Sequence, residues 1–284
     1  MTTKNGMPRR ELLRLGTAGA AAAWATARAK LGLAAGKVPI GVQLYSVRHD
    51  CEKDLPATLK AIKGFGYEAV EFAGYYGRTA ADLRKLLDDN GLKCCGTHTA
   101  LDTLEGDALA KTVEFNKGIG NKFLICPWIP EERRKTADDW KKLAGLFDAM
   151  ADKVAPAGMR VGYHNHNVEF TPLGGKTPWD LFFGGTKAAV IQQVDTGNCI
   201  EGGGDPVDLI KRYPGRTASI HIKEFSKTKP DAFIGEGDMP WKALFEACET
   251  VGGTEWYIVE YEQEKQPALP AVDHCLKNLR KMGK

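Results

Sequence analysis

From residue 37 to its C-terminus, the chain alternates between short apolar runs and longer segments with helical spacing. The apolar runs are rich in Val, Ile, Phe and Tyr, which is typical of buried parallel strands. The predicted strands cover residues 39–44, 67–72, 92–97, 122–126, 159–164, 189–194, 217–222 and 256–259. The predicted helices cover residues 53–65, 80–90, 106–117, 137–155, 178–183, 206–213, 241–250 and 268–282.

Strand–helix alternation requires parallel strands joined by right-handed crossovers. Eight repeats within residues 37–284 match the size of a closed barrel, so the prediction is α/β, a single (β/α)8 TIM barrel over these residues. An open doubly wound sheet is the alternative. No glycine-rich phosphate loop follows the first predicted strand, which disfavours a dinucleotide-binding fold.

The first 29 residues have a different character from the rest. A basic stretch containing Arg9 and Arg10 precedes a small apolar stretch rich in Ala and Gly, and the sequence ARA at 27–29 fits a small-residue cleavage site. This order predicts an export signal, and the paired arginines resemble a twin-arginine (Tat) signal. The expected location is therefore periplasmic, or otherwise exported through a Tat-type signal. The apolar stretch is too short for a membrane span, so no stable membrane insertion is expected.

The distribution of charge argues against a nucleic-acid partner. Because the whole chain carries +3 and residues 1–29 carry +4, the remainder carries −1. A nearly neutral body lacks the basic surface that nucleic-acid binding requires. The seven cysteines contain no CxxC pair and mostly lie in apolar runs, which predicts buried free thiols rather than a disulfide framework.

Four short motifs each lie at the end of a predicted strand. They are HNHNVEF at 164–170, VDTGN at 194–198, HIKE at 221–224 and IVEYE at 258–262. In a barrel, the carboxyl ends of the strands and the loops after them build the active site. Carboxylates and imidazoles delivered to one point form a divalent metal site. A single motif of this kind would be weak evidence, but four at equivalent places favour the metal hypothesis.

Three of the metal ligands follow directly from these motifs. Asp195 ends the sixth strand, although an Asp before Thr-Gly is also a common turn former. His221 lies between two isoleucines, where a buried ring is best used by pointing at a cation. Glu260 ends the eighth strand, where an unpaired buried carboxylate would be costly.

The ligand from the fifth strand is ambiguous. Glu169 becomes the fourth ligand if the strand ends early and the loop turns back. His164 or His166 takes that place if the strand continues, and the unused histidine is then a substrate contact or a proton carrier. We favour Glu169, so the predicted metal set is Glu169, Asp195, His221 and Glu260.

Three oxygens and one nitrogen suit Mn²⁺ or Mg²⁺, with Co²⁺ or Zn²⁺ as alternatives. Four protein ligands leave open positions for two substrate oxygens. A divalent ion held in this way can polarise a carbonyl and stabilise an enediolate. A neighbouring carboxylate or histidine can then move protons.

With these motifs the chain resembles the xylose-isomerase-like TIM barrels, described as sugar phosphate isomerases/epimerases. The resemblance covers essentially all of residues 37–284. It rests on QLYSVR at 43–48, GTH at 96–98, HNH at 164–166 with EF at 169–170, DTGN at 195–198, HIK at 221–223 and GEG at 235–237 before Trp241. Members use a Glu-Asp-His-Glu set around a divalent cation. The resemblance implies the same set here, with Glu169 and Glu260 also acting as the acid–base pair.

The chain departs from the ketose epimerases of this family at the fifth strand, where His164 replaces a glutamate. This departure weakens the mechanism that uses two glutamates. It points instead to the branch with the His-Asn-His signature, some of whose members resemble enzymes that eliminate from or hydrate 3-keto-sugars. The expected function is metal-dependent isomerisation, epimerisation or lyase/hydratase chemistry on a keto-sugar. A sugar-binding barrel without catalysis is the alternative.

Further residues at the predicted barrel mouth are assigned to the substrate. His166 and Lys223 are candidate catalytic groups, since Lys223 could neutralise a developing enolate. His98, His164 and Trp128 are candidate substrate contacts, because an aromatic face such as that of Trp128 can stack on a sugar ring. The expected partner is a small-molecule carbohydrate. A homo-oligomer is compatible with the sequence.

Overall fold

Eight parallel strands form the centre of the structure, a computed structural model that describes residues 37–284. The predicted export signal at residues 1–29 lies outside the described residues and stays a prediction. The strands are β1 (Ile40–Gln43), β2 (Ala69–Phe72), β3 (Lys93–His98), β4 (Phe123–Cys126), β5 (Arg160–His164), β6 (Ile191–Gln193), β7 (Ser219–Ile222) and β8 (Trp256–Val259). Every predicted strand is present, in most cases one or two residues shorter at one or both ends.

The sheet closes into a barrel. Consecutive strands pair in parallel from β1 to β6, and β8 pairs with both β1 and β7. Between β6 and β7, a parallel bridge joins Asp195 to His221, and the His221 amide donates to the Val194 carbonyl at 2.9 Å. The predicted single (β/α)8 TIM barrel is therefore confirmed.

The described residues contain nine α-helices. They are α1 (Arg48–Phe65), α2 (Ala80–Asn90), α3 (Ala108–Gly118), α4 (Ala137–Val154), α5 (Pro178–Phe183), α6 (Thr196–Glu201), α7 (Pro206–Arg212), α8 (Trp241–Ala247) and α9 (Ala268–Lys281). The short helix α6 was not predicted. None of the helices in residues 37–284 has the length and apolar character needed to cross a membrane.

Local sequence accounts for where three of these helices begin or restart. Thr79 and Thr136 open α2 and α4 with capping boxes, in which each threonine and an aspartate three residues later satisfy each other's free backbone amides. Inside α1 the backbone of Asp54 is non-helical, and its carboxylate accepts from the Ala57 amide at 3.0 Å. Asp54 therefore restarts the helix, which explains why the periodic pattern begins only at residue 53 in the sequence.

The barrel interior is apolar at one end and polar at the other. Towards the amino ends of the strands it is filled by small clusters of buried side chains, which are Phe123, Ile125, Ile191 and Ala218 in one and Ala69, Cys95 and Ile258 in the other. Towards the carboxyl ends the buried side chains are Gln43, Glu71, Gln193 and His221, and Ser219 at the start of β7 accepts from Gln193 Nε2 at 3.0 Å. A fully buried charged layer of this kind is costly unless each group is paired.

Glu71 enters this polar layer through an irregularity in the sheet. Between β2 and β3 the register shifts, so that Val70 pairs with Cys94 and Glu71 with Gly96. A β-bulge of this type commonly redirects a side chain near a functional site. Gly96 is required because a Cβ at that position would overlap Oε1 of Glu71.

The main core lies between the barrel and the helices. Tyr163 on the outer face of β5 packs among Trp140, Phe147 and Phe182, with ring centroids 5.3–6.2 Å apart. All seven cysteines are free and buried, as predicted. The aromatic layer fixes β5 against α4 and α5, and thereby fixes the position of the loop that follows β5.

Gly96→Ala is expected to lower the free energy of unfolding by about 1–3 kcal/mol, because the new methyl group displaces the enclosed Glu71 carboxylate. Gly145→Ala is the matched control. Gly145 lies inside α4 with nothing near its missing Cβ, so this substitution should stabilise the protein by about 0.4–1 kcal/mol. Urea unfolding of the two variants measures both effects. Equal stability of Gly96→Ala and the wild type would contradict this account of the β2–β3 irregularity.

Candidate metal centre and substrate pocket

Four potential metal ligands meet where β5, β6, β7 and β8 end. They are His164, Asp195, His221 and Glu260, all of them buried. One ligand atom from each lies within 4.8 Å of the ligand atoms of the other three. Of the four ligands predicted from the sequence, the structure brings together Asp195, His221 and Glu260, and it places His164 in the fourth position. A buried group of two imidazoles and two carboxylates could hold a divalent metal ion.

Hydrogen bonds to its main chain and to its side chain fix the position of Asp195. The side-chain amide of Asn165 clamps its main chain, with the Asp195 amide donating to Asn165 Oδ1 at 2.8 Å. Asp195 caps α6, where Oδ1 accepts from the Asn198 amide at 2.7 Å. Its other oxygen, Oδ2, is buried and has no hydrogen-bond partner among the described residues. An unpartnered buried carboxylate oxygen beside two imidazoles and Glu260 fits a cation-binding position.

His221 is enclosed by carboxylates on both sides. Its Nδ1 contacts Oε2 of Glu260, and its Nε2 lies 2.5 Å from Oε2 of Glu71. Burial opposes a charged ring, but the carboxylates of Glu260 and Glu71 outweigh it and raise the pKa of His221 to about 10. Without a metal ion, a proton on His221 therefore balances part of the negative charge of the cluster. A bound cation takes the place of such a proton.

Through Gln193, Glu71 determines which ring nitrogen carries the proton in His98 and in His164. The carboxylate of Glu71 only accepts, so Gln193 must turn its Nε2 towards it, at 2.8 Å. Oε1 of Gln193 then accepts from Nδ1 of His164 at 3.1 Å and from Nε2 of His98 at 3.0 Å. The lone pair of His164 is consequently on Nε2, the state in which a ring can ligate a metal. Burial lowers the pKa of both His98 and His164, which keeps both rings neutral.

Glu169 lies outside the metal cluster. Strand β5 continues to His164, and the following turn (Val168–Phe170) directs Glu169 to the outer side of the barrel. There its Oε1 accepts from the Tyr163 hydroxyl at 2.7 Å, and its Oε2 accepts from the His166 amide at 2.7 Å. Both oxygens are thus engaged in holding the HNH loop. The geometry favours His164, the competitor identified in the sequence, as the fourth member of the cluster.

Lys223 belongs to an ion pair beside the cluster. Its amine lies 2.8 Å from Oε1 of Glu262 and 4.0 Å from Oδ2 of Asp195. Glu262 is held among like charges: burial and the neighbouring Glu260 raise its pKa to about 7, although Lys223 opposes the shift. A carboxyl group with this pKa can donate a proton near neutral pH.

A pocket of about 790 Å³ opens next to the metal cluster. Four residues that the sequence assigned to the substrate or to catalysis line it, namely His98, Trp128, His164 and His166, together with Glu260 and Glu262. The ring of Trp128 is 45% exposed and meets the edge of His166 with ring centroids 5.1 Å apart. Nδ1 of His166 is buried and has no hydrogen-bond partner among the described residues. Burial lowers the pKa of His166 to about 4, so its ring is neutral at physiological pH.

Sequence reasoning missed Glu71 and did not identify Glu262 as a proton-bearing group. The available signal for Glu71 was a single carboxylate within the otherwise apolar run AVEF at 69–72, on the same face of the strand as Ala69. A charge on the inner face of a buried strand needs hydrogen-bond partners. Gln43 is one of them, since its Nε2 donates to Oε2 of Glu71 at 2.8 Å.

In the metal-free protein, the charge on His221 makes stability depend on pH. Its pKa rises from an ordinary 6.5 to about 10 on folding, so the stabilisation is fully present below pH 6.5 and is lost as the pH rises through 10. Unfolding by urea in the presence of a chelator should therefore show a free energy that falls between pH 6.5 and pH 10. Glu71→Gln removes one of the two carboxylates and should show a smaller fall. Equal falls in both proteins would contradict the assignment of charge to His221.

Comparisons with known proteins agree with this architecture. Over 250 residues the chain is 28% identical to an inosose dehydratase of Lacticaseibacillus casei. This alignment covers 72% of this chain and 81% of that protein. A solved sugar phosphate isomerase/epimerase from Parabacteroides distasonis superposes with a TM-score of 0.75 at 27% identity, covering 86% of this chain and 98% of the other.

A solved structure of the IolI protein with a bound zinc atom has a TM-score of 0.66 at 13% identity, covering 86% and 97% of the two chains, which shows a shared fold. The sequence profile of the Xylose isomerase-like TIM barrel family matches residues 59–282. This chain therefore belongs to the Xylose isomerase-like TIM barrel family.

Proposed function

We propose that the protein is a divalent-metal-dependent lyase that removes water from a keto-sugar or a related cyclic polyol ketone. The observation that carries this proposal is the buried cluster of His164, Asp195, His221 and Glu260 beside the 790 Å³ pocket. The inosose dehydratase among the relatives supports the class of reaction and of substrate. A bound divalent ion would polarise the ketone and so acidify the neighbouring C–H bond.

The ligand set favours a metal with affinity for nitrogen. The sequence predicted three oxygens and one nitrogen, whereas His164 in place of Glu169 makes two of each. Imidazole ligands suit Zn²⁺ and Co²⁺, while Mg²⁺ prefers oxygen. We infer that Mn²⁺, Co²⁺ or Zn²⁺ occupies the site in preference to Mg²⁺. The zinc atom in the IolI structure is compatible with this inference.

Two pocket residues can divide the proton transfers of an elimination. His166 is neutral and lines the pocket, so its ring can take the proton from the carbon next to the ketone. Glu262 holds a proton near neutral pH and can give it to the departing hydroxyl group, which leaves as water. The C–H bond and the C–O bond break, the C=C bond forms, and solvent returns the proton from His166 to Glu262. Environments that push two pKa values apart in this way commonly mark an acid–base pair.

Epimerisation or isomerisation of a keto-sugar begins with the same proton removal and is the second candidate. The superposition on a sugar phosphate isomerase/epimerase supports it. The pair of glutamates expected from the family resemblance is incomplete in this geometry, because Glu169 is engaged with Tyr163 outside the pocket. We therefore favour elimination.

The metal set is tested by elemental analysis after loading with Mn²⁺ or Zn²⁺ and removal of the excess. The wild type should hold about one ion per chain. His164→Ala and Asp195→Ala should lose most of it, since removing a ligand lowers metal affinity steeply. Glu169→Gln is the matched control and should retain the ion. Loss of metal in Glu169→Gln with retention in His164→Ala would restore the ligand set predicted from the sequence.

The reaction is tested by incubating the metal-loaded protein with an inosose and with 3-keto-glucose in D₂O, followed by NMR and mass spectrometry. We expect a product lighter by one water molecule, formed only with metal. His166→Asn should keep the metal and lower kcat by about 10²–10⁴-fold, as expected for loss of a general base.

Deuterium uptake without loss of water would favour the epimerase instead. Bound metal without deuterium uptake or product would favour a sugar-binding barrel without catalysis.

A further inference from the structure

The pocket is larger than one sugar ring needs, and it extends to one side of the barrel mouth. Its volume of about 790 Å³ equals that of roughly 26 water molecules in the liquid. A hexose, with about twelve non-hydrogen atoms, fills no more than about half of this space. Besides the residues next to the metal cluster, the lining includes residues that follow β2 and β3 and residues of helix α3.

This part of the pocket, which we call the annex, is lined by Ala73, Gly74, Tyr75, Thr103, Lys111, Thr112, Phe115 and Asn116. Tyr75 and Phe115 are half-buried, and their ring centroids lie 4.2 Å apart at an angle of 38°. Ala73 and Gly74 leave room, since a Cβ on Gly74 would meet nothing within 4 Å. Two aromatic rings bordered by small residues form a surface on which another flat group can pack.

Most polar groups of the annex are already engaged. Thr112 Oγ1 donates to the Thr103 carbonyl at 2.8 Å, and Thr103 Oγ1 donates to the Ala100 carbonyl at 2.7 Å. Tyr75 Oη accepts from Asn116 Nδ2 at 3.0 Å. Lys111 is exposed at the rim, where its ammonium stays in water. Deeper in the annex a second sugar would bring hydroxyl groups into a space with few free partners, and burying them unpaired is costly. An aromatic ring has no such requirement.

We propose that the annex binds an aromatic aglycone, so that the substrate is a glycoside whose keto-sugar part lies at the metal cluster. This inference rests on the proposed function for the position of the sugar. The two exposed rings at the pocket mouth are consistent with an elongated ligand. Arg48 and Arg134 lie over the rings of Tyr45 and Trp128, at 4.5 Å and 4.4 Å from the centroids, and steady them in solvent.

The test is calorimetric titration of the Mn²⁺-loaded protein with phenyl β-D-glucopyranoside, methyl β-D-glucopyranoside and cellobiose. These probes share one sugar and differ in the group attached to it. We expect the phenyl glycoside to bind about tenfold tighter than the methyl glycoside, because its ring buries apolar area on Tyr75 and Phe115. Cellobiose should bind no tighter than the methyl glycoside.

Substitutions in and outside the annex test where the phenyl group binds. Phe115→Ala should abolish the advantage of the phenyl glycoside and leave the affinity for the methyl glycoside unchanged. Lys111→Trp provides a second test, since Lys111 is exposed at the rim of the annex and a bulky ring there should block the phenyl group without affecting the fold. Val251→Ala changes an exposed apolar residue outside the pocket and should keep both affinities.

Equal binding of the phenyl and methyl glycosides would overturn the aromatic annex while leaving the proposed function intact. A preference for cellobiose would overturn it in favour of a second sugar. Absence of binding by all three probes would also overturn the aromatic annex. The proposed function concerns a ketone substrate, and the elimination assay with an inosose tests it separately.

Discussion

Glu71 places a carboxylate at the centre of the barrel, where it is fully buried and four side chains compete for its two oxygens. Gln43, Gln193 and His221 lie within 2.8 Å of it, and His98 lies at 3.3 Å. Burial favours the neutral acid, but the charged ring of His221 and the hydrogen bonds that His221 and Gln193 donate outweigh it and hold the pKa of Glu71 below its ordinary value. A buried charge is tolerated only when it is paired in this way. The partners are fixed in return, and with them the orientation of every ring that faces the metal cluster.

Glu71 orients the candidate metal ligands through the direction of the hydrogen bonds around it. Because Glu71 can only accept, Gln193 has one possible orientation, and two histidines are left with defined lone pairs. His221 is aligned between Glu71 and Glu260 in the same way. Orientation of a metal-binding histidine by a buried carboxylate is a common device for tuning ligand basicity. Glu71, Gln193 and the three histidines stand on strands, and Glu260 directly follows β8, so the barrel sets their geometry.

The parts of the site that could be predicted are those that depend on position along a strand. Asp195 and Glu260 directly follow recognisable apolar runs, and His221 lies near the end of another. Because the carboxyl ends of parallel strands converge, their meeting followed from the alternation of strands and helices. The choice between Glu169 and His164 depended on one more residue of strand and on a turn that no local pattern specifies. Glu71 was missed because its partners come from β1, β3, β6 and β7, and their proximity is a property of the closed barrel.

The position of Glu169 changes which groups can carry protons. With Glu169 turned outward to Tyr163 and the His166 amide, its charge supports the HNH loop, and the strand-five position holds a neutral imidazole instead of a second carboxylate. In the proposed elimination, proton transfer is assigned to groups just beyond the strand ends, His166 and Glu262, whose environments push their pKa values in opposite directions. Two unlike groups suit a reaction in which one proton is removed and another is delivered to a leaving group. Two equivalent carboxylates on opposite faces suit the exchange of one proton at one carbon. The replacement at the end of β5 therefore links the ligand set of the metal to the type of reaction that the pocket can support.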